Sequence, residues 1–138
     1  RKTYQLMVPY WPDVAKNNSG DDQATNDFAQ AFDAVKKIVV FSKTLLALDA
    51  RTKVVRSGLK QEIENLKQEP GKDILLGGVD VASQIMDLGL IDEYQFLIHP
   101  TMAGEGRRLT PTKNAFQVKL VETRPFKSGC VLLRYKAG

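Results

Sequence analysis

Apolar positions along the chain follow two rhythms, one helical and one extended. Phe28, Phe32 and Val35 fall at i, i+4 and i+7, which predicts an amphipathic helix over about 26–35. Residues 36–42, KKIVVFS, form a run that is β-branched at its centre and read as a buried strand. Residues 52–57, TKVVRS, read as a second strand, shorter and more exposed. Helical spacing returns with Leu59, Ile63 and Leu66 and stops at Pro70 and Gly71.

A short apolar run then predicts a strand at 73–76, followed by Gly77 and Gly78 and a helix over about 80–88. Gly89 suits the left-handed position just past that helix, with Leu90 folding back on Ile85 as a Schellman contact. EYQFLIH, residues 93–99, is a further strand. AFQVKLVET (115–123) and CVLLRYK (130–136) predict a closing antiparallel pair, with the turn around Lys127 to Gly129. The amino end is less clearly patterned. Residues 1–10 read as a short helix ended by Pro9, and PYWPDVAKNNSGDD (9–22) as a loop.

Helices alternating with strands predict an α/β fold with parallel neighbours, and the tail adds an antiparallel edge. The expected architecture is a mixed, mostly parallel sheet in one domain spanning 1–138. A chain of 138 residues, 43% hydrophobic and 26% charged, fits one ordinary globular domain. Apolar runs of four or five residues, such as Ile38 to Phe41, are far short of a membrane span. A net charge of +4, without a block of five like charges or basic residues interleaved with aromatics, argues against nucleic-acid binding. It fits isolated cations that meet a phosphate-bearing small molecule. Cys130 is alone, so an intrachain disulfide and a thiolate metal cluster are excluded, and a cytoplasmic setting is expected.

The paired glycines at a strand-to-helix turn carry candidate chemistry. A helix N-terminus exposes N–H groups and partial positive charge, and glycine there lets a phosphate approach the backbone. Gly77 and Gly78 meet that need, with Asp80 as the expected N-cap. On these residues alone, a plain tight turn is the better explanation of the pair.

A wider set of motifs decides between them. GKDILLGGVDVASQIMDLGLIDEYQFLIHPTMAGEGRRL holds Gly-Lys-Asp, an apolar strand, Gly-Gly, a helix, Gly-Leu-Ile-Asp-Glu, a strand, His-Pro and a glycine-rich loop, in that order. With RKTY at the start and VVFSKTL further on, the chain resembles the dihydrofolate-reductase-like family. Within it, the likeness is to the reductase domain of the bifunctional riboflavin-biosynthesis deaminase/reductase, and above all to its single-domain bacterial relatives.

The resemblance implies a three-layer dihydrofolate-reductase-like α/β/α fold that binds NADPH, and a homodimer. Carried over by position, Arg1, Lys2 and Thr3 match a helix start that contacts the cofactor's phosphates. Ser42 and Lys43 match the strand end that holds the adenosine 2′-phosphate. Gly77, Gly78, Val79 and Asp80 match the turn over the pyrophosphate. Cations beside a hydroxyl suit a dianionic phosphate through charge-assisted bonds.

Departures narrow the reading. The family's first strand and helix precede the Arg-Lys-Thr stretch, and the chain is expected to lack them. Riboflavin-pathway reductases place a glutamate before the double glycine, where this chain has Leu76. One His and one Cys cannot build a deaminase zinc site. No catalytic residue is assigned: His99 reads as framework, Cys130 as a small core residue and Trp11 as core cover. GEGRR, Gly104 to Arg108, reads as a loop with solvated arginines. An NADPH-dependent reductase of a small heterocyclic or imine-like substrate is the leading reading. A nucleotide-binding module without turnover is the alternative.

Overall fold

Helix α1 covers Lys2–Asn17, through both Pro9 and Pro12. The expected end at Pro9, and the loop after it, are therefore corrected. Tyr4, Val8, Val14 and Ala15 are buried, with Trp11 half-buried, and they fall on one face of the helix. An interior proline costs about 3 kcal/mol. Each fully buried large apolar side chain returns about 1.5–3 kcal/mol, so the stripe outweighs the prolines. The helix ends in a left-handed Asn18, φ 48°.

The computed structural model describes residues 1–47, 49–106, 108–109, 112 and 115–138. The chain forms two compact units, 1–62 and 63–138. In the first, α2 (Gln23–Asp33) starts at the N-cap Asp22, whose carboxylate accepts the Thr25 N–H at 2.7 Å. Those bonds from Thr25 hold the Asp22 carboxyl below its ordinary value. β1 (Ile38–Phe41) pairs in parallel with β2 (Thr52–Val55), from Ile38 opposite Thr52 to Phe41 opposite Val55. Tyr4, Val8, Val40 and Leu45 form one core cluster, and Val14, Ala15 and Ala29 a second, against which Trp11 packs. Trp11 thus covers core, as its sequence context suggested.

A polar chain fixes the β1–β2 connection. The Tyr4 hydroxyl donates to Thr52 Oγ1 (2.7 Å), and Thr52 donates to Asp49 Oδ1 (2.6 Å). Arg51 Nη2 lies 3.1 Å from Asp49 Oδ2, while its Nη1 donates to the Asp33 carbonyl at 2.7 Å. Desolvation pushes the Asp49 carboxyl up, but the bonds from Thr52 and Arg51 together hold it below its ordinary value.

Helix α3 (Leu59–Gln68) crosses the boundary between the units. In the second unit, α4 (Val79–Asp87) closes with both Schellman bonds, Leu90 N–H to Ile85 O (3.2 Å) and Gly89 N–H to Met86 O (2.9 Å). Gly89 has φ 66°, as its position predicted. β3 (Glu93–Ile98), β4 (Val118–Pro125) and β5 (Val131–Ala137) form an antiparallel sheet in the order β3-β5-β4, with a bulge between Leu120 and Glu122. The closing turn lies where expected, with Gly129 N–H on Phe126 O at 2.9 Å.

One expected strand does not form. Residues 73–76 join neither sheet, and Ile74 and Leu75 are exposed, Leu75 by 95%. No strand among the described residues pairs with this run, so no ladder holds it extended. The parallel part is consequently a single pair, and the antiparallel sheet is the larger. The α/β class, with one parallel and one antiparallel sheet, is as the pattern indicated.

Asp49 yields a prediction. Its carboxyl titrates lower folded than unfolded, so it stabilises the fold above about pH 4, and that contribution is lost as pH falls through the folded value. Melting temperatures measured from pH 6 to pH 2.5 should fall less steeply for Asp49→Asn than for the wild type.

Candidate functional site

The C-terminal ends of two parallel strands meet at one edge, the usual place for a ligand in an open α/β sheet. Ser42 follows β1, and its N–H donates to Val55 O at 3.1 Å, extending the ladder by one bond. Ser42 Oγ accepts the N–H groups of Leu45 (3.2 Å) and Thr44 (3.4 Å), which closes a tight loop. Leu45, 3% exposed, anchors the far side of that loop in the core.

Lys43 is exposed at the loop's tip. Arg1, the N-cap of α1, donates from Nη1 to Thr44 Oγ1 at 2.9 Å. The start of α1 and the 42–45 loop are thereby joined. Lys2 and Thr3 are exposed in the first turn of α1. Sequence reasoning missed two members of this group. Thr44 bridges to Arg1, and Arg56 donates to the carbonyls of Lys43 and, at 3.3 Å, Leu45. A basic residue one place after the second parallel strand was the available signal.

The described partners of Arg1 and Arg56 are thus a hydroxyl and two carbonyls, all neutral. The donor set fits a phosphate monoester: guanidinium and ammonium groups beside a hydroxyl on a short loop.

The second group lies in the other compact unit. Gly78 is the N-cap of α4, with φ 88° and ψ 136°, a backbone region closed to other residues. The cap role expected of Asp80 is corrected accordingly. Asp80 sits in the first turn, inside the helix, and no side chain caps it. Val79 begins the helix, and its carbonyl accepts from Ser83 Oγ at 2.7 Å. A Cβ at Gly77 or Gly78 would meet nothing within 4 Å, so the backbone faces open space at both. This fits a phosphate on the helix N-terminus, although the Asp80 carboxylate already supplies negative charge there.

Two concavities among the described residues are not lined by any of these nine residues. One, of about 670 Å³, is lined by Val8, Pro9, Pro12, Asp33, Asp49, Ala50 and Arg51. The other, of about 300 Å³, is lined by residues that include Met86, Tyr94 and Phe116. His99 Nδ1 lies 3.5 Å from Cys130 Sγ, across the end of the β3–β5 ladder. Cys130 is half-buried rather than a core residue, because it sits at the mouth of the hairpin turn. Of the GEGRR stretch, Arg107 lies outside the described residues. Among the described residues no three His, Cys, Asp or Glu side chains are grouped to hold a metal, and no helix is long and apolar enough to cross a membrane.

The fold is that of a dihydrofolate-reductase-like α/β protein. A crystal structure of a candidate riboflavin biosynthesis protein from Shewanella sp. PV-4 superposes with a TM-score of 0.66 at 18% identity, over 84% of this chain and 71% of that one. The chain belongs to the RibD C-terminal domain family, whose model matches residues 3–132. An uncharacterized Bacillus subtilis (strain 168) protein, YyaP, is 36% identical over 137 residues, which span 98% of this chain and 70% of YyaP. Membership suggests a reductase-like function.

The two glycines should respond differently to substitution. Gly78→Ala forces a side chain into a sparsely populated conformation and should cost about 1–3 kcal/mol. Gly77→Ala, with open space around it, should melt within about 0.5 kcal/mol of the wild type. Chemical denaturation of both variants checks this.

Proposed function

We propose that this protein is an NADPH-dependent reductase that transfers hydride to a small heterocyclic or imine-like substrate. Membership of the RibD C-terminal domain family supports the reaction class. The observation that carries the cofactor assignment is the linkage of Arg1, Ser42 and Lys43 through Thr44 and Arg56 at the β1–β2 edge. That cluster is suited to the 2′-phosphate that distinguishes NADPH from NADH. Gly77, Gly78, Val79 and Asp80 offer a second phosphate contact, to the pyrophosphate, within their own unit.

The bound cofactor would supply the hydride, and the protein supplies orientation and electrostatics. Lys43 and Arg1 neutralise the phosphate dianion. Ser42 donates its hydroxyl proton while its oxygen keeps the loop closed. Lys2 and Thr3 add a charge and a hydroxyl from the first turn of α1.

Leu76 is half-buried and holds the position before the double glycine at which riboflavin-pathway reductases carry a glutamate. Riboflavin intermediates should therefore not be turned over efficiently, which a spectrophotometric assay of NADPH oxidation would check. A homodimer in a cytoplasmic setting completes the proposal. The exposed Leu97, Ile98, Leu120 and Val121 of the antiparallel sheet supply apolar area for a second copy.

Calorimetry should show NADPH binding more tightly than NADH by about tenfold or more, since a hydrogen bond to a charged group is worth about 1.5–3 kcal/mol. Equal affinities would contradict the assignment of the 2′-phosphate. Tight NADPH binding with no hydride transfer across a panel of imines and heterocycles would instead indicate a binding module.

A further inference from the structure

We infer that Arg56 is a positioning residue for the 2′-phosphate, acting through the 42–45 loop. The inference deepens the cofactor reading and rests on it. Arg56 comes directly after β2, and the parallel register that sets Val55 against Phe41 carries it beside the loop at the end of β1. Its guanidinium donates from Nη1 to the Lys43 carbonyl and from Nη2 to the Leu45 carbonyl. These two carbonyls flank Thr44, the residue that receives Arg1. Arg56 therefore grips the loop's backbone on both sides of Thr44, next to Lys43.

That grip acts in two ways. The first is orientation. Ser42 Oγ holds the loop through the N–H groups of Thr44 and Leu45, and Arg56 holds it through carbonyls of the same stretch. Together they fix which way the peptide units turn, and with them where the Lys43 ammonium and Thr44 hydroxyl sit. The second is electrostatic. Carbonyl oxygens left bare beside a phosphate dianion would repel it. A guanidinium bound to both turns that repulsion into a net attraction. Only a planar fork reaches two acceptors this way, because a lysine ammonium is a point charge on a flexible stem.

The test uses calorimetric affinities for NADPH and NADH, together with melting temperatures, in the wild type, Arg56→Gln and Arg56→Lys. The NADPH/NADH affinity ratio should fall about tenfold in Arg56→Gln and nearly as far in Arg56→Lys, with NADH affinity held within about twofold. A preserved ratio in Arg56→Lys would overturn the inference, because charge alone would then suffice. Parallel loss of both affinities, or of melting temperature alone, would reduce Arg56 to a general structural role and overturn it as well. Should the wild type itself fail to prefer NADPH, the cofactor reading falls first and takes this inference with it. A wild-type preference that survives both substitutions removes the inference alone.

Discussion

The parallel register of β1 and β2 is the constraint on which the first unit's candidate chemistry depends. Parallel strands present the same end at the same edge, so the segments leaving their C-terminal ends are brought together without further design. Phe41 opposite Val55 places the Ser42–Leu45 loop beside Arg56. A slip of one residue would turn Val40, now buried in the core cluster, to the opposite face and carry Arg56 past the carbonyls it holds. Tyr4 and Val8 of α1 pack on the same cluster, which brings Arg1 within reach of Thr44. Core packing and the arrangement of charge are thus one problem with one solution.

Gathering cations at one edge costs self-repulsion, and the described bonds of Arg1 and Arg56 end on neutral oxygens that do little to offset it. An anion bound there, as proposed, would remove the penalty. The second unit offers a different feature, a helix N-terminus whose cap is a glycine at φ 88°. That glycine is needed by the backbone whether or not a ligand binds. Gly77 is not, and its open surroundings make it the more informative of the pair.

Most elements were legible because their apolar spacing was local. α2, α3 and α4, the β1–β2 pair and the closing hairpin all follow from it, and Gly89 ends α4 as its type demands. Two features were not. The stripe Tyr4, Val8, Trp11, Val14 and Ala15 was present in the sequence, but prolines at 9 and 12 argued for a loop, and only tertiary burial outweighs them. The run at Ile74 to Leu76 carried a strand's composition without a partner to pair with, which no local pattern can reveal. At the candidate site, a family likeness nominated Arg1, Ser42 and Lys43. Arg56 and Thr44 needed the register and the hydrogen bonds.

Whether the β1–β2 edge holds a 2′-phosphate can be decided by following amide chemical shifts in two titrations, one with adenosine 2′,5′-bisphosphate and one with adenosine 5′-monophosphate. The 2′-phosphate compound should perturb residues 42–45 and 56 and bind markedly more tightly, with an affinity that weakens as salt is raised. Equal binding of the two nucleotides, or perturbations that spare the 42–45 loop, would contradict that assignment.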